Sequence, residues 1–189
     1  MQKIKYSFVS FSAMEEVDIV DAHDNVVGKE KRDVAHEKGL LHRVVHVMLF
    51  DPDGRLYVQQ RSQKKDLYPG YWEGSLSGHV LSGESYKEAA ERELHEELGV
   101  CVSRKHLKDI VLFGFNDGED RALVRLFVVK DFKFDVEPDT EGEVKSGEFW
   151  AWKKLDSEMK GKKLFHPLFR KAFEEFKGMK EKPVEFVKL

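Results

Sequence analysis

The sequence GHVLSGESYKEAAERELHEELGV, residues 78–100, decides the fold of this chain. Ser85 followed three residues later by Glu88 is typical of a capping box, so a helix is predicted to begin after Ser85. Gly99 occupies the position of a left-handed C-terminal cap, so the same helix should end one residue before it. Apolar residues at helical spacing should pack this helix against a core, namely Ala90, Leu94 and Leu98.

The predicted helix also carries three carboxylates, Glu93, Glu96 and Glu97, at positions i, i+3 and i+4, which places them on one face. Like charges at this spacing destabilise a helix by about 0.2–0.5 kcal/mol per pair. Divalent cations that prefer oxygen ligands, such as Mg²⁺ or Mn²⁺, would relieve the repulsion. A solvated acidic face is the alternative interpretation of these three residues.

The complete spacing around the carboxylates resembles the Nudix box of the Nudix hydrolase superfamily. That box is Gly, five residues, Glu, seven residues, and then Arg-Glu-apolar-x-Glu-Glu-x-Gly-apolar. Its fixed positions are all matched, by Gly78, Glu84, Arg92, Glu93, Leu94, Glu96, Glu97, Gly99 and Val100. The resemblance implies an α/β fold of the Nudix α/β/α sandwich type. In that fold the central sheet is mixed and the box forms a loop–helix–loop beside it.

The resemblance further implies a hydrolase that cleaves a diphosphate linkage by attack of metal-activated water on phosphorus. The implied substrate is a nucleoside di- or triphosphate or a related X-linked nucleoside diphosphate, and the implied cofactor is Mg²⁺ or Mn²⁺. The implied metal ligands are Glu93, Glu96, Glu97, the carbonyl of Gly78, and Glu84. Glu84 has a second interpretation, in which it only stabilises the loop.

The catalytic residues predicted from the box are Glu93, Glu97 and Arg92. Glu93 is a candidate for the base that takes a proton from water. Arg92 lies one position off the carboxylate face, so it is predicted to orient a carboxylate rather than to contact substrate.

Many Nudix enzymes add an acidic residue from a loop outside the box. Glu143 is the first choice for this role, with Glu141 and Glu148 as alternatives, and a solvated acidic loop is the other interpretation.

A longer similarity, over about residues 17–155, is to the branch of Nudix proteins that resembles type I isopentenyl diphosphate isomerase. The sequences HRVVHVMLFDPDGRLYVQQRS (42–62) and YPGYWEGSLSGHV (68–80) carry it. This similarity implies an alternative reaction, the isomerisation of a C=C bond by proton transfer. The isomerase needs a metal site of histidines and glutamates, and a cysteine acid/base.

The isomerase residues are only partly present. The histidines at or near the expected places are His36, His42 and His79. Ser77 stands where the cysteine is expected, and the expected glutamate pair falls near Asp120 and Ala122, of which Ala122 can neither ligate metal nor move a proton. Hydrolysis is therefore the favoured prediction. A binding module without turnover is the third hypothesis, and the intact box argues against it.

Substrate contacts are predicted for Arg61, Tyr68, Trp72 and His79. Arg61 could bind phosphate oxygens in a bidentate manner, and the aromatic rings could stack on a base. An internal ion pair for Arg61 and core packing for the aromatic residues are the alternative interpretations.

The other predicted elements are short. They are a hairpin within 17–32, a helical turn within 33–41, a central strand at 42–50, a strand at 55–62 that pairs back on it, further strands at 110–115, 123–129 and 147–152, and a helical tail over 155–179.

The chain has 189 residues, of which 41% are hydrophobic, and this suits one domain over 1–189 with an N-terminal arm (1–16) and a helical C-terminal tail (155–189). The net charge of −3 does not favour a nucleic-acid partner, and no apolar run approaches the roughly 18 residues of a membrane span. Cys101 is the one cysteine and is predicted to be buried. We predict a cytoplasmic monomer or homodimer whose partner is a small diphosphate substrate.

Overall fold

The computed structural model describes residues 15–65, 67–131 and 144–179. In chain order the elements are β1 (Glu16–Val20), β2 (Val26–Lys31), α1 (Arg32–Glu37), β3 (His42–Leu49), β4 (Leu56–Arg61), β5 (Trp72–Glu73), β6 (Leu76–His79), α2 (Tyr86–Leu98), a 3₁₀ turn (Arg104–His106), β7 (Lys108–Asn116), β8 (Arg121–Val129), β9 (Val144–Trp150), α3 (Trp152–Lys160) and α4 (Pro167–Gly178). No helix among the described residues is long and apolar enough to cross a membrane.

The main sheet is mixed and has β3 at its centre. Its strand order is β2-β1-β3-β8-β7, and β6 also pairs with β3. The β3–β8 pair is parallel, whereas β1, β6 and β7 join the sheet in antiparallel pairs. A second sheet has the order β5-β4-β9. The predicted α/β class with a mixed sheet is confirmed.

Helices cover both faces of the main sheet. Val45, Val47 and Leu49 point toward α2 and form one core with Leu94 and Leu98. Alternate residues of β3 point the other way, into a second core that contains α3 and α4. The faces alternate because successive strand side chains project to opposite sides. The result is the predicted three-layer arrangement.

Helix α2, which carries the Nudix box and is called the box helix below, begins and ends where the sequence predicts. The Ser85 side chain accepts a hydrogen bond from the Glu88 backbone, and the Glu88 side chain accepts one from the Ser85 backbone. Gly99 closes the helix with φ = 65°, a left-handed conformation that glycine adopts at little cost. The predicted apolar stripe of Ala90, Leu94 and Leu98 is buried.

Some boundary predictions were wrong. The strand predicted at 55–62 was expected to pair back on β3, but the observed strand β4 pairs with β5 and β9 instead. The edges of β3 are already taken by β6 and β8, so the chain after the 51–54 turn crosses to the second sheet. Trp152 begins α3 rather than ending β9, and the helical tail is two helices.

Cys101 is exposed rather than buried. Val100 and Val102 on either side of it are buried, so the extended chain turns the cysteine outward. Of the predicted N-terminal arm, the structure describes Glu15 and Glu16, and Glu16 begins β1.

We expect Ser85→Ala to lower the free energy of unfolding by about 1 kcal/mol, because it removes the side-chain half of the capping box. Urea unfolding followed by circular dichroism would measure the change. Ser103→Ala is a matched control, since Ser103 caps the 3₁₀ turn without a side-chain hydrogen bond and should change little. Equal effects of the two substitutions would show that the box helix does not depend on its cap.

Candidate active site and metal centre

Strand β6 separates two groups of polar residues. Gly78 faces α2, and a Cβ at this position would lie only 2.3 Å from the carboxyl carbon of Glu93. Ser77 and His79 flank Gly78 and therefore project to the opposite face. Glycine at position 78 is thus needed for the box helix to approach the sheet this closely.

Arg92 joins the acidic residues of the box. Its Nε donates to Glu84 Oε1 at 2.8 Å, and its Nη1 donates to Glu93 Oε1 at 2.8 Å and to Glu96 Oε2 at 3.0 Å. Its Nη2 donates to the carbonyl oxygen of His79 at 3.0 Å. One guanidinium therefore fixes the helix carboxylates relative to the loop and to β6. This is the orienting geometry expected for Arg92.

Burial controls the protonation of Glu93. Its side chain is 14% exposed. Burial raises the pKa of Glu93 to about 7, although Arg92 acts in the opposite direction. Burial alone would lower the pKa of Arg92, but Glu84 and Glu93 hold it well above its ordinary value. Glu93 therefore has a pKa suited to proton exchange at neutral pH.

The β1–β2 hairpin holds the loop that precedes the box helix. Asp18 is buried, and its carboxylate accepts hydrogen bonds from Ser82 Oγ at 2.7 Å and from Gly83 N at 3.2 Å. Ser82 N also donates to the carbonyl of Glu16. This loop leads to Glu84, whose side chain accepts from Leu81 N at 3.0 Å.

A second contact from the hairpin reaches the first turn of α2. Asp24 Oδ1 accepts from Arg43 Nε at 2.6 Å and from Tyr86 OH at 3.1 Å. The guanidinium of Arg43 also lies 5.6 Å from the centre of the Tyr86 ring. The hairpin, the central strand and the box helix are therefore joined through one partly buried network of hydrogen bonds.

On the other face of β6, three histidines and one aspartate meet. The ligand atoms of His36, His42, His79 and Asp120 all lie within 4.8 Å of one another. His36 Nε2 and His79 Nε2 are 2.9 Å apart, a distance at which two lone pairs repel unless they share a proton or a cation. His42 Nε2 faces Asp120 Oδ1 at 3.4 Å.

The residue types and protonation of this cluster fit a divalent metal. Among the described residues, His42 Nε2 and Asp120 Oδ1 are buried and lack hydrogen-bond partners. His42 Nδ1 lies 3.0 Å from the Leu40 carbonyl, an arrangement that leaves Nε2 as the ligand atom. Burial lowers the pKa of His36 and of His79, which keeps both rings unprotonated near pH 7.

The sheet topology creates this cluster. Parallel pairing places His42 beside Ala122, which brings Asp120, at the end of the β7–β8 turn, to the same edge. Antiparallel pairing places His79 beside Val44, so His79 arrives next to His42 from β6. Helix α1 supplies His36.

Three of the predicted substrate residues, Arg61, Tyr68 and Trp72, lie at or near the connection between β4 and β5. Arg61 donates to Glu73 at 2.9 Å and to the Leu67 carbonyl at 3.0 Å. Trp72 is 9% exposed and packs against Trp150, with ring centres 4.6 Å apart. Arg61 therefore forms an internal ion pair and Trp72 packs in the core, which is the alternative interpretation of these two residues.

Tyr68 links the same loop to the histidine cluster. Its hydroxyl donates to Asp117 Oδ2 at 2.9 Å, and Asp117 Oδ1 accepts from Asp120 N at 2.9 Å. The ring of Tyr68 lies 4.7 Å from that of His166, the N-cap of α4. Of the four predicted substrate residues, His79 is therefore a member of the cluster, and Tyr68 is linked to it through Asp117.

The remaining acidic candidates are spread out. Glu97 is partly buried on α2, in the helical position predicted for it. Glu148 lies on β9 with a half-exposed side chain that contacts Lys154 at 3.5 Å. Glu141 and Glu143 lie outside the described residues.

Two residues near the site were missed from the sequence. Asp18 gave no local signal, because its role depends on a loop 64 positions away. His46 had a signal, since it shares the alternation of β3 with His42 and must face the same side of the sheet.

Comparison with known proteins identifies the family of this chain. Residues 40–173 match the protein-family model described as the NUDIX domain. The chain therefore belongs to the Nudix hydrolase family. The hairpin β1–β2 and His36 lie before the matched residues.

Two relatives indicate the branch. The uncharacterized Nudix hydrolase SCO1686 of Streptomyces coelicolor is 47% identical over 112 residues, which is 59% of this chain and 61% of SCO1686. A Serratia proteamaculans protein named isopentenyl-diphosphate Delta-isomerase is 33% identical over 140 residues, 71% of this chain and 73% of that protein. The predicted similarity to the isomerase-like branch is confirmed.

A solved structure shares the fold. The crystal structure of DR0079 from Deinococcus radiodurans aligns with a TM-score of 0.65 and 27% sequence identity, over 85% of this chain and 98% of that one.

Glu93→Gln should change how the stability of the metal-free protein depends on pH. The folded-state pKa of Glu93 is about 7 against an ordinary value of 4.5, so the folded protein keeps a proton that the unfolded chain releases. This stabilisation is complete below about pH 4.5 and is lost as pH rises through about 7. Wild type should therefore lose stability relative to Glu93→Gln between about pH 5 and pH 8. Urea unfolding in chelator would measure both curves, and parallel curves would contradict the assigned pKa.

His36→Gln should weaken Zn²⁺ binding by more than about tenfold, because imidazole nitrogens are good Zn²⁺ ligands and Gln lacks one. Competition with a chromophoric chelator, starting from metal-free protein, would measure the affinity. His106→Gln is the control, since His106 is an exposed histidine on the 3₁₀ turn. Unchanged Zn²⁺ affinity in the His36 variant would exclude the cluster as a metal site.

Proposed function

We propose that this chain is a divalent-metal-dependent hydrolase of a diphosphate linkage in a nucleoside di- or triphosphate or a related X-linked nucleoside diphosphate. The observation that carries the proposal is the partly buried Glu93 beside Gly78, within a complete acidic box that Arg92 ties to β6. A merely solvated acidic helix would not bury a carboxylate against a strand.

The proposed ligands for Mg²⁺ or Mn²⁺ are Glu93, Glu96, Glu97, the Gly78 carbonyl and Glu84. A bound ion would neutralise charge on the diphosphate and lower the pKa of a water molecule. Glu93 is the proposed base, because its mostly shielded carboxyl group lies beside Gly78 within the proposed ligand set. Arg92 holds Glu84, Glu93 and Glu96 in position before any ligand arrives.

The histidine cluster is proposed as a second cation site, formed by His36, His42, His79 and Asp120. Its nitrogen-rich ligand set differs from the all-oxygen set of the box, so the two sites should prefer different ions. Tyr68 and His79 are the proposed substrate contacts here, because Tyr68 shares Asp117 with Asp120 and His79 belongs to the cluster. Arg61 and Glu143 stay as predictions for phosphate contact and for an additional acid.

Isomerisation is the second candidate function, and the histidine cluster is the observation that favours it. The Serratia relative is also named an isopentenyl-diphosphate isomerase. Two residues argue against it in this chain. Ser77 offers a hydroxyl, which is a much weaker acid than a thiol, and Ala122 is buried beside His42 with no group that can move a proton.

We also propose that residues 1–189 act as one cytoplasmic domain, monomeric or dimeric, with a small-molecule substrate. The family membership supports the substrate class, and size-exclusion chromatography with light scattering would determine the oligomeric state.

The proposed reaction is tested by measuring phosphate and pyrophosphate release with Mg²⁺, with Mn²⁺ and with chelator. The substrates are nucleoside di- and triphosphates, nucleotide sugars, dinucleoside polyphosphates and isopentenyl diphosphate. Chelator-sensitive hydrolysis of one nucleotide class is the expected result. Conversion of isopentenyl diphosphate to its isomer without phosphate release would instead establish the second candidate, and no turnover of any compound would contradict both.

Glu97→Gln should lower kcat by about 10²-fold or more while leaving the fold intact, the scale of losing a metal ligand or an acid/base group. Steady-state kinetics on the substrate found above would measure it. Glu91→Gln is the matched control, because Glu91 is on the same helix but pairs with Arg104, at 2.9 Å, on another face. A Glu97 variant with the rate of the Glu91 variant would remove Glu97 from the site.

A further inference from the structure

A buried histidine and a serine form a pair that the box chemistry does not use. His46 on β3 and Ser77 on β6 are direct neighbours across the antiparallel pair, and His46 Nδ1 lies 2.6 Å from Ser77 Oγ. His46 is 1% exposed, whereas Ser77 is only partly buried. The histidine of this pair is therefore closed to solvent, and the serine is partly exposed to it.

The imidazole of His46 is held from three sides. Its ring stacks on Phe169 of α4, with centres 5.9 Å apart and planes at 25°. A Cβ built on Gly74 would lie 2.5 Å from His46 Nε2, so the backbone of Gly74 packs directly on this edge of the ring. Ser77 meets the third side, at Nδ1. The ring has no room to rotate.

The contact with Gly74 selects the tautomer of His46. The hypothetical Cβ would lie 2.5 Å from Nε2 and 2.7 Å from Cε1, so the Gly74 backbone packs against the Nε2–Cε1 edge of the ring. A C–H group packed beside Nε2 is better accommodated by a lone pair on that nitrogen than by a hydrogen. Among the described residues Nε2 has no hydrogen-bond partner, and an orphaned buried N–H group is rare in folded proteins.

The proton of His46 therefore lies on Nδ1 and is donated to Ser77 Oγ. Burial lowers the pKa of His46 to about 3, so the ring stays neutral and carries one proton only. Because Ser77 Oγ already accepts from Nδ1, the hydroxyl hydrogen of Ser77 must point elsewhere. Ser77 is partly exposed on the face of β6 that it shares with His79, two residues further on.

This geometry differs from that of a nucleophilic serine. In a serine–histidine dyad the hydroxyl donates to the imidazole, and a third group orients the other ring nitrogen. Here the imidazole donates to the hydroxyl, and Nε2 has no such orienting group among the described residues. Ser77 is thus fixed as a hydrogen-bond donor rather than activated as a nucleophile.

We propose that Ser77 is a substrate-binding residue whose hydroxyl, oriented by the Nδ1–H of His46, donates a hydrogen bond to a phosphate oxygen of the substrate beside His79. His46 is the positioning residue of this pair. A permanently directed donor next to a cation site selects a ligand atom that only accepts, as an ionised phosphate oxygen does. The ligand part of this inference rests on the proposed diphosphate hydrolase function, whereas the tautomer does not.

The tautomer is tested by ¹⁵N NMR of protein labelled at histidine, with the His46 signals assigned by their loss in His46→Leu. The expected spectrum shows a protonated Nδ1 and an unprotonated Nε2, unchanged between about pH 5 and pH 8. A protonated Nε2 would overturn the proposal, whether or not the protein hydrolyses any compound.

The ligand contact is tested by calorimetric titration with methylene diphosphonate in the presence of Mg²⁺. Ser77→Ala should weaken binding by about tenfold, the scale of one hydrogen bond to a charged group. Ser77→Thr should retain binding because it keeps the hydroxyl. Ser75→Ala is the control for a structural effect. Ser75 is buried, and its hydroxyl accepts a hydrogen bond from Leu49 N and donates one to the Tyr57 carbonyl. This substitution should lower the Tm and leave the affinity unchanged.

A double-mutant cycle tests the role of His46. His46→Leu removes the donor that orients Ser77, so Ser77→Ala should add little to the loss of affinity in that background. Full additivity, or an affinity in Ser77→Ala equal to that of wild type, would overturn the proposal. Failure of the proposed hydrolase alone would appear differently, as wild-type binding of the diphosphonate without turnover of any substrate.

Discussion

The register of β6 against β3 is the constraint on which both parts of the site depend. Gly78 must face α2, because any larger residue would collide with Glu93. Once that residue is fixed, the alternation of the strand sends Ser77 and His79 to the other face. A shift of one residue would place the serine and histidine side chains under the box helix and separate His79 from His42. A four-residue strand therefore sets the position of both candidate cation sites.

The two sites manage charge in different ways. In the box, one guanidinium offsets several carboxylates, and burial still leaves Glu93 with a pKa of about 7. In the histidine cluster, burial lowers the pKa of His36 and His79, so positive charge is removed rather than compensated. The first site is a group of carboxylates held together before binding, and the second is a group rich in imidazole nitrogens with one carboxylate. This contrast follows from the residue types and does not require any bound ion.

The features that could be predicted from the sequence are those that depend on local chemistry. The cap of α2, its C-terminal glycine and its apolar stripe involve residues at most fourteen positions apart, so their spacing is sufficient. The partner of β4 was predicted wrongly because a turn determines that the chain reverses but not which sheet it joins. The outward direction of Cys101 depends on which of its neighbours reach the core.

The candidate site was predictable to the extent that a motif or a resemblance named its residues. The box and three histidines were found in this way, whereas the approach of Asp120 to His42 results from parallel pairing of strands far apart in sequence. Asp18 and the tautomer of His46 depend on contacts with a loop and with the backbone of Gly74. Such contacts have no signature in the sequence of one chain.

The hairpin and α1 have a consequence for the extent of the working unit. The family match begins at residue 40, after both elements, yet Asp18 holds the box loop and His36 completes the histidine cluster. A polypeptide cut at that boundary would keep every residue of the Nudix signature and lose part of each site. The start of the family match and the start of the candidate site are therefore different positions in this protein. Relatives that share the Nudix box can differ in chemistry through the segment between these two positions.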